Sequence, residues 1–257
     1  MNAISVGIII PFIGTIIGSS FVFFMKKEIP EKMQKALLGF ASGVMIAASI
    51  WSLLIPSMEM TGGNGLKSIL PTAIGFLSGI GFLLLIDEVT PHIHPISTKS
   101  EGIKSKLSKT AKLALSMTIH NLPEGMAVGV VLASQESSTL TISSAIAVSI
   151  GIAIQNIPEG AIVAMPMRAA GNSRIRSFTI GSLSGVVEPI GTIAIILLAS
   201  SLTSALPFLL AFSAGSMMYV VVEELIPEAS QGKHTNISTI GFSLGFVLMM
   251  ILDVVLG

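Results

Sequence analysis

The chain has 257 residues, of which 51% are hydrophobic and only 11% charged, with a mean hydropathy of +0.86. That balance leaves too little polar side chain to cover a solvated surface, so the chain belongs in lipid. A formal net charge of zero without a basic stripe excludes a nucleic-acid partner; the absence of cysteine excludes disulfides, thiolate ligands and cysteine catalysis.

A bilayer core about 30 Å thick needs roughly 20 apolar residues per helix. Eight windows of that kind are predicted, in chain order: Ile4 to Met25, Gln34 to Ile55, Ile69 to Glu88, Lys112 to Ser134, Thr141 to Met167, Ile175 to Ser200, Ala205 to Glu228 and Asn236 to Leu256. The first has no basic stretch before it and is followed by Lys26 and Lys27, which reads as an uncleaved helix and not a signal peptide. Positive residues in short loops stay cytoplasmic. With the N-terminus outside, thirteen of the fourteen Lys and Arg fall on the inner side and only Lys67 on the outer. The expectation is an all-α membrane protein of eight transmembrane helices, both termini outside. It forms one domain over 1–257, with a cytoplasmic loop at about 89–111. His92 and His94 in that loop either bind metal weakly or are simply solvated.

Small residues four apart, Gly14 and Gly18, Gly75 and Gly79, Gly241 and Gly245, predict close helix contacts in lipid. Two internal similarities say more. His120-Asn121-Leu122-Pro123-Glu124-Gly125 in the fourth span recurs as Gln155-Asn156-Ile157-Pro158-Glu159-Gly160 in the fifth. A fainter match joins Phe40–Met45 in the second span to Phe212–Met217 in the seventh. Each pair runs antiparallel in this topology, as an inverted repeat requires, and carriers with that symmetry bind their substrate near mid-membrane. The predicted architecture is a 3+2+3 inverted-repeat bundle, spans one to three mirrored by six to eight around four and five.

Residues three and four apart share a helix face, so His120, Asn121 and Glu124 can meet one ion, and Gln155, Asn156 and Glu159 repeat that geometry. Pro123 and Pro158 each remove one intrahelical hydrogen bond, which is tolerated where freed groups line a site. An ionised side chain at a helix centre costs about 3 kcal/mol, so Glu124, Glu159 and Glu188 together cost about 9 kcal/mol. No Lys or Arg lies at matching depth, and the natural partners are protons or a bound cation. Glu188, mid-span before Pro189, is a third candidate carboxylate. Glu223 and Glu224 form either an exit path or a solvated helix end. Met45 is either a thioether ligand or ordinary packing. Asp87 and Glu88 read as a hydrated acidic terminus. Imidazole with carboxylate and amide oxygens suits zinc, and also iron, manganese or cadmium. The metal would be cargo, with no resident cofactor.

The paired H-N-x-P-E-G and x-x-x-P-E-G motifs resemble the ZIP family of metal transporters. The run Glu223-Glu224-Leu225-Ile226-Pro227-Glu228 is most similar to the prokaryotic GufA-type branch. The resemblance implies zinc uptake toward the cytoplasm at the cell membrane, through His120, Asn121, Glu124, Gln155, Asn156, Glu159 and Glu188. It also implies alternating access, in which spans one, four, five and six move against the others, often in a homodimer. Gln155 and Asn156 stand where many relatives carry His or Asp, so the site is less anionic than in those relatives. Two rival classes predict other features. An intramembrane zinc hydrolase calls for an H-E-x-x-H helix, which is missing; a proton- or sodium-coupled carrier of organic solutes calls for a broken helix or a cationic anchor.

Overall fold

In lipid each backbone N–H and C=O must find its partner within the segment or in a closed barrel, and this sequence takes the first route. The computed structural model describes residues 3–24, 29–62, 65–91, 102–134, 141–199, 203–232 and 235–256. Among these the secondary structure is helical throughout. In chain order come α1 (Ala3–Ser19), α2 (Phe21–Phe24), α3 (Glu31–Ala47), a π-helical run Ala48–Leu54, α4 (Ile55–Met60), α5 (Leu66–Val89), α6 (Lys109–Ala133) and α7 (Ile142–Ala169). There follow α8 (Arg174–Ser184), α9 (Val187–Ala199), a 3₁₀ turn Thr203–Ala205, α10 (Leu206–Val220), a second π-helical run Val221–Leu225, α11 (Ile226–Ser230) and α12 (Ile237–Leu256). They join into eight rods among the described residues: α1 with α2, α3 with α4, α5, α6, α7, α8 with α9, α10 with α11, and α12. His92, His94, Lys26, Lys27, Lys99 and Lys233 lie outside the described residues.

Several helix starts follow from local chemistry. Ser108 caps α6 by accepting from the Ala111 N–H, Ser173 caps α8 through the Arg176 N–H, and Thr141 and Ser144 form a reciprocal capping box on α7. Both π runs lead into an Ile-Pro step, at Ile55-Pro56 and Ile226-Pro227. Proline lacks the N–H and clashes with the preceding turn, and widening that turn to π geometry relieves the conflict.

Seven rods are long and apolar enough to cross a membrane; α6 is the exception. Its mean hydropathy is lowered by His120, Asn121, Pro123 and Glu124, the very residues of the motif. The outer faces of α5 and α12 are apolar and exposed, with Leu77, Leu84, Ile240 and Leu244 turned outward as lipid-facing side chains should be.

Glycines let four pairs of rods touch backbone to backbone. A Cβ on Gly14 would overlap the Ala153 carbonyl and one on Gly18 the Ile157 carbonyl, so α1 and α7 run parallel in close contact. In the same way Gly125 and Gly129 on α6 meet Glu188 and Thr192 on α9. Gly39 and Gly43 set α3 against Ser238 and Phe242 of α12, and Gly75 and Gly79 set α5 against Phe208 and Phe212 of α10. All four pairs are parallel.

Candidate metal site

The two motif helices lie side by side in the interior. His120, Asn121, Glu124, Gln155, Asn156, Glu159 and Glu188 are all buried, none more than 3% exposed. Three rods supply them: α6 gives the first three, α7 the next three, and α9 gives Glu188 from its first turn. The rod carrying Glu188 is interrupted at Gly185 and Val186, between α8 and α9. Gly185 within the break and Pro189 just after it explain the interruption.

Within this group, the Gln155 amide donates to Glu124 Oε1 at 2.9 Å, and the Thr15 hydroxyl on α1 donates to Glu188 Oε1 at 2.9 Å. The Asn156 side chain faces both Glu124 and Glu188. Glu124, Glu159 and Glu188 are close enough to feel one another's charge, and Glu159 also feels His120 and Glu224.

The asparagines are held by backbone carbonyls of neighbouring rods. Asn121 Nδ2 donates to the Ser184 carbonyl at 3.1 Å, and Asn156 Nδ2 to the Pro11 carbonyl at 3.4 Å. The glycine of each motif is clasped likewise. The Thr192 hydroxyl donates to the Gly125 carbonyl at 2.8 Å, and the Ser19 hydroxyl to the Gly160 carbonyl at 3.3 Å. Each P-E-G therefore does three jobs: the proline breaks a backbone bond, the glutamate faces the site, and the glycine admits the next rod.

With donors so engaged, what points inward is mostly lone pairs. Asn121 Oδ1, Glu124 Oε2, Gln155 Oε1, Asn156 Oδ1, Glu159 Oε1, Glu188 Oε2 and His120 Nδ1 have no hydrogen-bond partner among the described residues. Buried acceptors left this way cost free energy unless something electrophilic meets them. A divalent cation is suited to that role, being bound by oxygens and imidazole nitrogen.

His120 also reaches beyond this cluster. Its Nε2 lies 3.0 Å from Glu224 Oε1 and 3.9 Å from Asp87 Oδ1. Asp87, His120 and Glu224 each offer a donor atom within 4.8 Å of the others, and among the described residues this is the one group of three His or carboxylate side chains close enough to hold a metal. Asp87, read from sequence as a hydrated terminus, is 12% exposed and turned inward. It sits thirty-three residues from His120, and only the tertiary fold brings them together. Glu224 is buried on the second π run whereas its neighbour Glu223 is exposed, so the acidic pair divides between two faces. Met45 is fully buried in the apolar core that includes Leu38, Val44 and Met217. A cavity of about 430 Å³ opens between the start of α6 and the end of α7, lined by Lys109, Leu113, Ile162, Met165, Pro166 and Ala169 among others. Ile162 is one turn beyond Glu159.

Comparison with known proteins identifies the family. The family described as ZIP zinc transporter matches residues 97–253. Zinc transporter GufA of Myxococcus xanthus is 37% identical over 233 residues, covering 90% of each chain. Zinc transporter ZIP11 of Bos taurus is 35% identical, covering 95% of this chain and 94% of its own. Zinc transporter ZIPB of Bordetella bronchiseptica is 34% identical, covering 96% of this chain and 79% of its own. The chain therefore belongs to the ZIP zinc transporter family, a family of transporters and not of enzymes.

Proposed function

We propose that this protein carries divalent transition-metal cations, zinc first and also cadmium, iron or manganese, across the cell membrane toward the cytoplasm. The observation that carries the reading is that seven buried polar side chains on α6, α7 and α9 each keep an atom without a hydrogen-bond partner among the described residues. The names of the zinc-transporting relatives point the same way. His120, Asn121, Glu124, Gln155, Asn156, Glu159 and Glu188 hold the metal. His120 then shares it with Asp87 and Glu224, and the cavity beside Lys109 and Ile162 gives the released ion a hydrated path. Carboxylates lose the metal only if protons or water replace it, so each cycle exchanges one for the other.

The frame we infer is an eight-crossing 3+2+3 inverted repeat with both termini outside. Support comes from hydrogen bonds that recur in two copies. A shift of 35 residues turns Asn121 into Asn156 and Gly125 into Gly160. A shift of 173 turns Pro11 into Ser184, Ser19 into Thr192 and Thr15 into Glu188. The bonds Asn121–Ser184 and Asn156–Pro11 are thus one interaction seen twice, as are Thr192–Gly125 and Ser19–Gly160. The parallel rod pairs obey the same exchange. It maps α1 with α7 onto α9 with α6, and α3 with α12 onto α10 with α5. The parallel run of α6 beside α9 favours a full crossing for α6 despite its low hydropathy. The rod interrupted at Gly185 suits an organic-solute carrier as well, but among the described residues no Lys or Arg stands in the site to receive such a solute.

Radiolabelled zinc uptake into proteoliposomes tests the activity. The expected result is saturable uptake that cold zinc or cadmium suppresses; no movement of any divalent metal under any imposed gradient contradicts it. The absence of cysteine makes topology easy to test with single cysteines. Asn64→Cys should react with an impermeant thiol reagent from outside and Lys106→Cys only from inside.

A further inference from the structure

Tyr219 lies in the last turn of α10, 8% exposed, and its hydroxyl donates to Asp87 Oδ2 at 2.5 Å. The other oxygen of the same carboxylate, Oδ1, is the one that faces His120 Nε2 at 3.9 Å. The hydroxyl thus holds one oxygen of the carboxylate whose other oxygen faces the imidazole. An aspartate side chain has two rotatable bonds, and a donor on one oxygen restricts where the other points. Tyr219 and Glu224 belong to the same rod and are five residues apart. In an α-helix that spacing puts side chains on different faces. The π run Val221–Leu225 changes that spacing, and Glu224 on it reaches His120 of α6 while Tyr219 reaches Asp87 of α5.

The bond is not needed to join its two rods. Gly75, Gly79 and Gly215 already bring α5 and α10 together backbone to backbone on the same side of each helix. A phenol hydroxyl placed on one of the two carboxylates that neighbour His120, the other being Glu224, has a narrower use. We propose that Tyr219 is a positioning residue of the transport route: its hydroxyl sets Asp87 so that Asp87, His120 and Glu224 form a three-donor station for a divalent cation leaving the Glu124 and Glu159 site. This inference rests on the metal-transport reading and adds to it the residue that shapes the inner station. Tyr219 touches no metal itself; it acts through Asp87.

The test uses the purified full chain in proteoliposomes. Tyr219→Phe keeps the ring and removes only the hydroxyl. Maximal zinc uptake should fall about tenfold, the scale of one hydrogen bond to a charged group. The zinc concentration at half-maximal uptake should stay within about twofold, because substrate capture is left intact. On an Asp87→Asn background, already slow, Tyr219→Phe should cause no further loss. Unchanged maximal uptake in Tyr219→Phe, or an equal additional loss on the Asp87→Asn background, overturns the proposal, the latter by assigning the hydroxyl a general structural role.

Tyr219 is the one tyrosine in the chain, which gives a second readout without a substitution. Protein grown with 3-fluorotyrosine carries a single fluorine signal. Zinc added to saturation should shift that signal in the otherwise natural chain and leave it in place in Asp87→Asn. A signal that zinc does not move overturns the proposal even if Tyr219→Phe fails to accumulate. Absence of zinc uptake by the unsubstituted protein would count against the transport reading, and the fluorine titration would still judge the station.

Discussion

The two copies of the central motif agree in their frame and differ in their reach. In both, an asparagine amide is tied to a carbonyl of a neighbouring rod and a hydroxyl clasps the carbonyl of the motif glycine. The leading residue is where they part. Gln155 on α7 turns back into the cluster and donates to Glu124, whereas His120 on α6 turns out of it toward Glu224 and Asp87. Duplicated backbone geometry thus leaves room for a functional asymmetry in one side chain. In the proposed route, the α7 copy would complete the central site and the α6 copy would link it to Glu224 and Asp87.

Six substitutions would break or sharpen that contrast. The largest effect is expected where the copies are alike: Glu124→Ala or Glu159→Ala should each lower zinc uptake by about a hundredfold or more, since both remove a central carboxylate. Survival of transport in either variant would count heavily against the shared cage. Next comes His120→Gln, which makes the α6 copy match the α7 copy. Titration calorimetry should show zinc binding weakened about tenfold, and uptake should fall at least as far, because the link to Glu224 is lost with the ligand. Equal uptake before and after would mean that the asymmetry has no transport role.

Gly125→Ala and Gly160→Ala probe the common frame. A Cβ would overlap the Glu188 carbonyl in the first case and the Thr15 carbonyl in the second. Each should cost about 1–3 kcal/mol by overpacking, read as a lower melting midpoint in detergent, and the two should be alike. A large difference between them would deny the equivalence of the copies. The smallest effect is expected for Gln155→His, which adds an imidazole to the α7 copy. Zinc should bind a few-fold more tightly and turn over a few-fold more slowly, as steady-state uptake at saturating zinc would register.

Much of this was legible before any coordinates. The helical period put His120, Asn121 and Glu124 on neighbouring parts of one helix and the second P-E-G repeated the pattern; these residues and Glu188 are buried, but His120 turns to Glu224 and Asp87. The caps at Ser108, Thr141 and Ser173 carry ordinary sequence signatures. Two things were hidden for physical reasons. Asp87 closes an apolar helix beside a loop, where solvation is the default, and its tie to Tyr219 spans 132 positions. The π runs, one of which swings Glu224 inward and Glu223 outward, depend on how a helix absorbs a proline within its bundle; the Ile-Pro steps flag the place but not the outcome. The fourth rod shows the opposite problem, since the side chains that make it the centre of the site also lower its hydropathy below that of an ordinary span.

Anomalous diffraction from crystals soaked in zinc or cadmium addresses the central claim most directly. The account predicts a peak between α6 and α7, with zinc at about 2.0–2.2 Å from carboxylate oxygens of Glu124 and Glu159. The peak should vanish in Glu124→Ala while the helices stay in place. A transporting protein whose soaked metal lies elsewhere, or whose peak persists in Glu124→Ala, would contradict it.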